Sequence, residues 1–222
     1  MARDPRHILY HDLLAAAGRS GCCVCCCLHS GEDDYVRRIL SEHVTDVAFR
    51  RRWLKAAGLC ARHAHQLADI GDALGSAILY QSLLAGLLNG PMATATPRAK
   101  HFAQWVHTPG KLPACPACAH LDDYRNRLIE GLCRHAPNAE FFKVFDAGDG
   151  LCLAHLVDAI AVAPRDVRDY LVTRHRQRWV ELEQALVRLI GSFDPNRRAP
   201  GELDEATKDA FARAIDVMTG ER

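Results

Sequence analysis

Lysine is scarce in this chain: five residues against twenty-three arginines. The 28 Lys and Arg nearly balance the 27 Asp and Glu, and the formal net charge is +1. The composition therefore gives no general electrostatic reason to expect nucleic acid as a partner. Period-2 strands, hairpin signals and βαβ patterns are missing, which argues against any sheet-based fold. There is no Gly-rich phosphate loop, no nucleophile elbow and no His-Glu metalloprotease pattern, so the common nucleotide and hydrolase sites have no starting point. The most apolar stretch, Ala77 to Leu88, is too short to span a bilayer. Between Met1 and Gly21, His11 and Asp12 interrupt the only apolar run, so no secretory signal is expected. These absences lead us to expect a cytoplasmic protein with no membrane contact.

Cysteine, by contrast, is abundant: ten residues in 222. In a reducing compartment such numbers point to metal or redox chemistry before a disulfide framework. Their spacing is regular. Gly58-Leu59-Cys60-Ala61-Arg62-His63 recurs 92 positions later as Gly150-Leu151-Cys152-Leu153-Ala154-His155. The same shift carries Cys23 onto Cys115 and Cys26 onto Cys118. Each half thus reads CxxC, a spacer, then CxxH, the ligand set of a tetrahedral Cys3His site. On a helix, Cys60 and His63 project from one face. A glycine break ahead of each ligand helix lets it start sharply, and its N-terminal partial charge favours a thiolate.

The periodicity predicts an all-α chain. A first helix carries Leu9 and Leu13 and ends at Gly18. A small-residue turn covers Ser20 to Cys27, and helices follow over Glu32–His43 and from Thr45 or Asp46 to Gly58. Cys60 opens another, with a wobble near Gly71 and Gly75, to Asn89-Gly90. Arg98 to His107 forms a short helix. In the second half, helices are expected over Leu121–His135, Asn138–Phe145, Cys152–Val162 and from Pro164 to about Gly191. A final helix over Glu202–Thr219 has Phe211, Ile215 and Met218 as its apolar face. The expected domains are 1–90 and 114–192 as metal-binding repeats, 91–113 as linker and 193–222 as a C-terminal loop and packing helix. Leu40 recurs as Leu132, His43 as His135, Phe49 as Phe141 and Trp53 as Phe145. The fold expected is a duplicated helical bundle of pseudo-two-fold halves, each clamped by its own Cys3His site.

The crowded turn Cys22-Cys23-Val24-Cys25-Cys26-Cys27 offers two registers, Cys22 with Cys25 and Cys23 with Cys26. The second keeps equal spacing in both halves: 34 positions from Cys26 to Cys60 and from Cys118 to Cys152, against 35 from Cys25. The expected sites are therefore Cys23, Cys26, Cys60 and His63, and Cys115, Cys118, Cys152 and His155. Two zinc ions are the expected occupants, with an iron–sulfur cluster as the alternative. Covalent haem attachment is not supported, because Ala119 rather than His follows Cys118. Arg50–Arg52 and the run Arg174–Trp179 read as solvated helix faces, with phosphate contact as the sharper alternative. His43 and His135 read as helix-surface residues, or as second donors behind the metal ligands.

The duplicated CPxC…GLCxxH plan resembles a bacterial family of helical proteins classed as a domain of unknown function. The resemblance covers nearly the whole chain, including Arg197-Arg198 and Phe211-Ala212-Arg213-Ala214-Ile215 before Gly220. It implies the same architecture and metal ligands at these motifs, and no activity. The functional expectation is a zinc-binding helical protein, non-enzymatic, that binds a protein partner or regulates one. An iron–sulfur or thiol redox protein is the alternative, and nucleic-acid binding ranks below both.

Overall fold

The computed structural model describes residues 5–94, 96, 98–105, 114–193 and 203–220. Among these, every regular element is helical. They are α1 (Pro5–Ala17), α2 (Cys23–Arg38), α3 (Val47–Lys55), α4 (Ala61–Asp69), α5 (Ala73–Asn89), α6 (Ala99–Phe102), α7 (Pro116–His135), α8 (Ala139–Ala147), α9 (Leu153–Val162), α10 (Arg165–Ser192), α11 (Glu205–Lys208) and α12 (Ala210–Thr219). Val106 and His107 of the expected Arg98–His107 helix, and Arg197 and Arg198 of the expected C-terminal loop, lie outside the described residues.

Local chemistry places the helix ends. Asp46 caps α3 by accepting the Ala48 N–H at 2.8 Å, and Asn138 caps α8 by accepting the Glu140 N–H at 2.9 Å. The wobble at Gly71 is a full break. Gly71 sits at φ +82°, and Asp72 caps a new helix through the Gly75 N–H at 2.9 Å.

Two differences from the sequence reading matter for the sites. First, Cys23–Cys27 form no separate turn; they are the opening of α2. Second, α2 runs into a π-helical turn at Ile39–His43. A π turn holds one residue more than an α turn. Ahead of it, the buried Val24, Tyr35 and Val36 correspond to the buried Ala117, Leu128 and Ile129 at a shift of 93. Beyond it, Val44, Phe49 and Trp53 correspond to Ala136, Phe141 and Phe145 at a shift of 92.

The chain forms two compact units, residues 1–29 with 125–222 and residues 30–124. Residues of α2 and of α7 fall in both. In the first unit α1 packs on α8, and α10 packs on α9, α11 and α12. Leu13, Val24, Leu128, Leu132, Phe141, Phe145 and Leu171 are buried there. The expected packing face of the last helix is its outer face: Phe211, Ile215 and Met218 are exposed. The small Ala210 and Ala214 instead face Leu182 and Ala185, allowing close approach to α10.

In the second unit the core gathers Tyr35, Val36, Ile39, Phe49, Trp53, Leu67 and Leu79. Trp53 Nε1 donates to the Leu79 carbonyl at 3.2 Å, which ties α5 to this core. The apolar stretch around α5 is longer than the sequence reading allowed. Ala73–Ala93 spans 21 residues, and an 18-residue window within it has mean hydropathy 1.2, enough by length and composition to cross a membrane, with 11 % of that window buried. Leu79 is buried and its carbonyl accepts the Trp53 bond, so one side of the helix packs on this core while Leu74, Leu84 and Leu88 are exposed.

Candidate metal centres

All four ligand motifs are built alike. Cys22, Cys60, Cys115 and Cys152 each sit one residue ahead of a helix, and Cys25, His63, Cys118 and His155 lie in its first turn. In each motif the leading cysteine's carbonyl accepts the N–H four residues on: Cys26 at 3.0 Å, Ala64 at 2.9 Å, Ala119 at 2.9 Å and Leu156 at 2.9 Å. The two side chains then point off the N-terminus on one face, where the helix dipole favours thiolate. Gly58 and Gly150 set the approach to both CxxH helices, each at φ +84°. A Cβ at Gly58 would lie 2.8 Å from Leu83 Cδ1, and one at Gly150 2.8 Å from His175 Nε2.

These motifs meet in pairs. Cys22, Cys25, Cys152 and His155 form one group in the first unit; Cys60, His63, Cys115 and Cys118 form the other in the second unit. Within each, all ligand atoms lie within 4.8 Å of one another. In the first, His155 Nδ1 is 3.2 Å from Cys152 Sγ, 3.4 Å from Cys22 Sγ and 3.5 Å from Cys25 Sγ. In the second, His63 Nδ1 is 3.1 Å from Cys60 Sγ, 3.5 Å from Cys118 Sγ and 3.6 Å from Cys115 Sγ. One sulfur pair in each, Cys25–Cys152 and Cys60–Cys118, stands at 3.9 Å. Such groups could hold a metal ion.

The groups brought together differ from the expected sets in two respects. The motifs pair crosswise: the CxxC of one half meets the CxxH of the other. A CxxC at the start of a 20-residue helix such as α7 is carried on the order of 30 Å from the helix's far end. The nine-residue α8 that follows is only about 13 Å long and does not by itself return the chain to that start. In the first group it is Cys22 and Cys25 that come together, with Cys22 in the position ahead of the helix that Cys115 holds in the other. Cys23 and Cys26 stand in neither group. Burial, with the charges of Cys22, Cys27 and Cys26, raises the Cys23 thiol well above its usual range. Cys26 turns its sulfur toward the Ser20 carbonyl at 3.8 Å. Burial pushes Cys27 to about 12 and also raises Cys133.

Electrostatics within the groups is one of crowded acids. Hydrogen bonds from Cys22 and Cys25 hold the Cys152 thiol far below its usual value, while bonding to Cys152 and Cys25 raises Cys22. Burial, then the charges of Cys115 and Cys60, pushes Cys118 to about 12. Ionising all the thiols of such a group therefore calls for a cation among them.

Two supporting residues escaped the sequence reading. Glu32 Oε1 lies 2.9 Å from His63 Nε2 and 3.1 Å from Arg62 Nη1. Nothing in the spacing marks a glutamate seven residues past a CxxC. His175 lies within the supposed solvated run but is fully buried. Its Nδ1–H donates to the Leu171 carbonyl at 2.7 Å, and Nε2 accepts the Leu151 N–H at 2.9 Å, which fixes the turn entering Cys152. Burial, opposed by the Leu171 bond, lowers its pKa to about 4 and keeps the ring neutral. Arg174 binds Asp146 at 2.8 Å, and Arg178 Nη2 donates to the Phe145 carbonyl at 2.7 Å, capping the last turn of α8. Arg51 and Arg52 are exposed as expected. His43 stacks on Phe49 at 5.2 Å, and His135 packs against Tyr10 at 4.7 Å.

Comparison with known proteins adds kinship. A stretch of 79 residues, 36 % of the chain, is 33 % identical to the uncharacterised 23.9 kDa protein in the xynA 3' region of Caldicellulosiruptor sp. (strain Rt8B.4). That match spans 38 % of the relative's length. No solved structure matches the chain. Residues 11–222 match the family of unknown function DUF6062. With its four helix-start motifs running through that span, the chain belongs to this family.

Proposed function

We propose that the protein holds two zinc ions, one in each unit, as structural clamps, and acts by binding a protein partner rather than by catalysis. The spacing of the ligand atoms carries this reading. Zinc bound tetrahedrally at about 2.3 Å to sulfur and about 2.0–2.1 Å to nitrogen would separate sulfurs by about 3.8 Å and place nitrogen about 3.6 Å from each. The sulfur pairs at 3.9 Å and the nitrogen–sulfur distances of 3.1 to 3.6 Å sit close to those edges. A multi-iron cluster binds its cysteines through different irons across an inorganic core and needs a wider ring of ligands. With four protein ligands, a zinc ion keeps no open position for substrate or activated water, so a structural role is the default.

The partner reading is supported by α5. It carries no Asp, Glu, Lys or Arg over 17 residues, and Leu74, Leu84 and Leu88 are exposed on it. Exposed uncharged faces of this kind mark interaction sites. Nucleic acid is less favoured, since Arg174 and Arg178 are engaged within the first unit. Elemental analysis of protein purified anaerobically without added metal tests the reading. We expect a colourless protein with two zinc per chain; iron in its place, with visible absorption, would replace the clamp reading with the redox one.

A further inference from the structure

Resting on the zinc reading, we propose that Glu32 makes the two ions unequal. It fixes His63, so that the second-unit ion is the tightly held one and the first-unit ion the exchangeable one. The two groups are alike in ligand type and spacing but differ behind the imidazole. Glu32 is nearly buried, His63 is fully buried, and they meet at 2.9 Å. With Nδ1 facing three sulfurs, His63 coordinates through Nδ1, and its Nε2–H donates to the Glu32 carboxylate. A carboxylate there fixes the tautomer and ring orientation and makes the coordinating nitrogen more basic. Arg62 bonds the same carboxylate at 3.1 Å, so the anion is not left uncompensated beside three thiolates. At His155, among the described residues, no carboxylate or carbonyl reaches Nε2. Its ligands Cys22 and Cys152 also line a cavity of about 590 Å³ in the first unit, which gives solutes a route to that ion. The part-exposed Cys60 and Cys118 let a chelator approach the other site too. That exposure governs how fast the second ion is reached; the carboxylate governs how tightly it is held at equilibrium.

Equilibrium competition between the intact chain and a chromophoric zinc chelator tests this. The wild type should release zinc in two resolved steps. Cys22→Ser should remove the weaker step and Cys115→Ser the stronger. Glu32→Gln should lower the stronger affinity about 10–100-fold and leave the weaker unchanged, with Glu32→Asp intermediate. Protection of the His63 Nε2 proton against exchange should be reduced in Glu32→Gln at unchanged helical circular dichroism. Two equal affinities in the wild type, a stronger step assigned to Cys22, or a Glu32→Gln effect on both steps alike would each overturn the inference while leaving two zinc clamps intact. If Glu32→Gln fails to fold, the assignment of the steps by the two cysteine variants decides alone. A wild-type chain that binds no zinc would instead overturn the reading on which this inference rests.

Discussion

Stripping the metal under reducing conditions should abolish cooperative unfolding of the chain at neutral pH, with much of the helical signal retained. The magnitudes decide this. A structural zinc contributes an apparent ~10–16 kcal/mol of binding free energy that is also folding free energy. A typical domain has only about 5–15 kcal/mol of net stability in total. Each unit would lose a term as large as its whole margin. The core residues hang directly on the ligand helices: Leu67 on α4 and Leu156 on α9 are buried within one or two turns of a ligand. Without the ion, each group also retains buried thiols crowded against one another. Near-ultraviolet circular dichroism reports the change, because Trp53 is fully buried in the second unit. Its fine structure should vanish on chelation and return with zinc. An apo-protein melting as sharply as the holo-protein, at the same temperature, would show that the ions are not structural.

Serine substitutions in the cysteine-rich start of α2 should divide cleanly. Cys22→Ser and Cys25→Ser should each reduce bound zinc from two per chain to one and destabilise the first unit, since a closed sphere loses a ligand. Cys23→Ser and Cys26→Ser should keep both ions. Of the two, Cys23→Ser should cost more stability, because Cys23 is buried while Cys26 is half-exposed. Elemental analysis of the four variants with a thermal melt checks both parts. Loss of an ion in Cys23→Ser or Cys26→Ser, with Cys22→Ser and Cys25→Ser unaffected, would restore the register that equal spacing suggested.

That register shows where the sequence stopped being legible. Helix type, most helix ends and six of the eight residues in the two Cys/His groups follow from periodicity, capping residues and motif spacing. Asp46, Asp72, Asn138 and the glycine breaks act locally, and local signals are what a sequence displays. Cys22 rather than Cys23 joins the group, and α2 runs into a π turn at Ile39–His43, a turn that takes in one residue more than an α turn. No residue type announces a π turn, so equal spacing pointed one position too far. The crosswise pairing was hidden for a related reason. It depends on α2 being continuous from Cys23, whereas a run of small residues looked like a turn. Glu32 and His175 are contacts between distant segments, and a single sequence carries no mark of them. The outer face of α12 misled in the opposite way: Phe211, Ile215 and Met218 have core-like spacing, yet small Ala210 and Ala214 make the packed face.

Crosswise ligation makes a reciprocal demand on zinc stoichiometry in two triple variants. Cys22→Ser/Cys25→Ser/His155→Ala removes ligands from one group only, so it should retain one zinc per chain. Cys22→Ser/Cys25→Ser/His63→Ala damages both groups, so it should retain none. Clamps closed within each half require the reverse if Cys22 and Cys25 are ligands, and one zinc in both variants if they are not. The zinc content of the second variant is therefore the most direct measurement: none is expected, and one tightly bound ion would contradict the crossed arrangement.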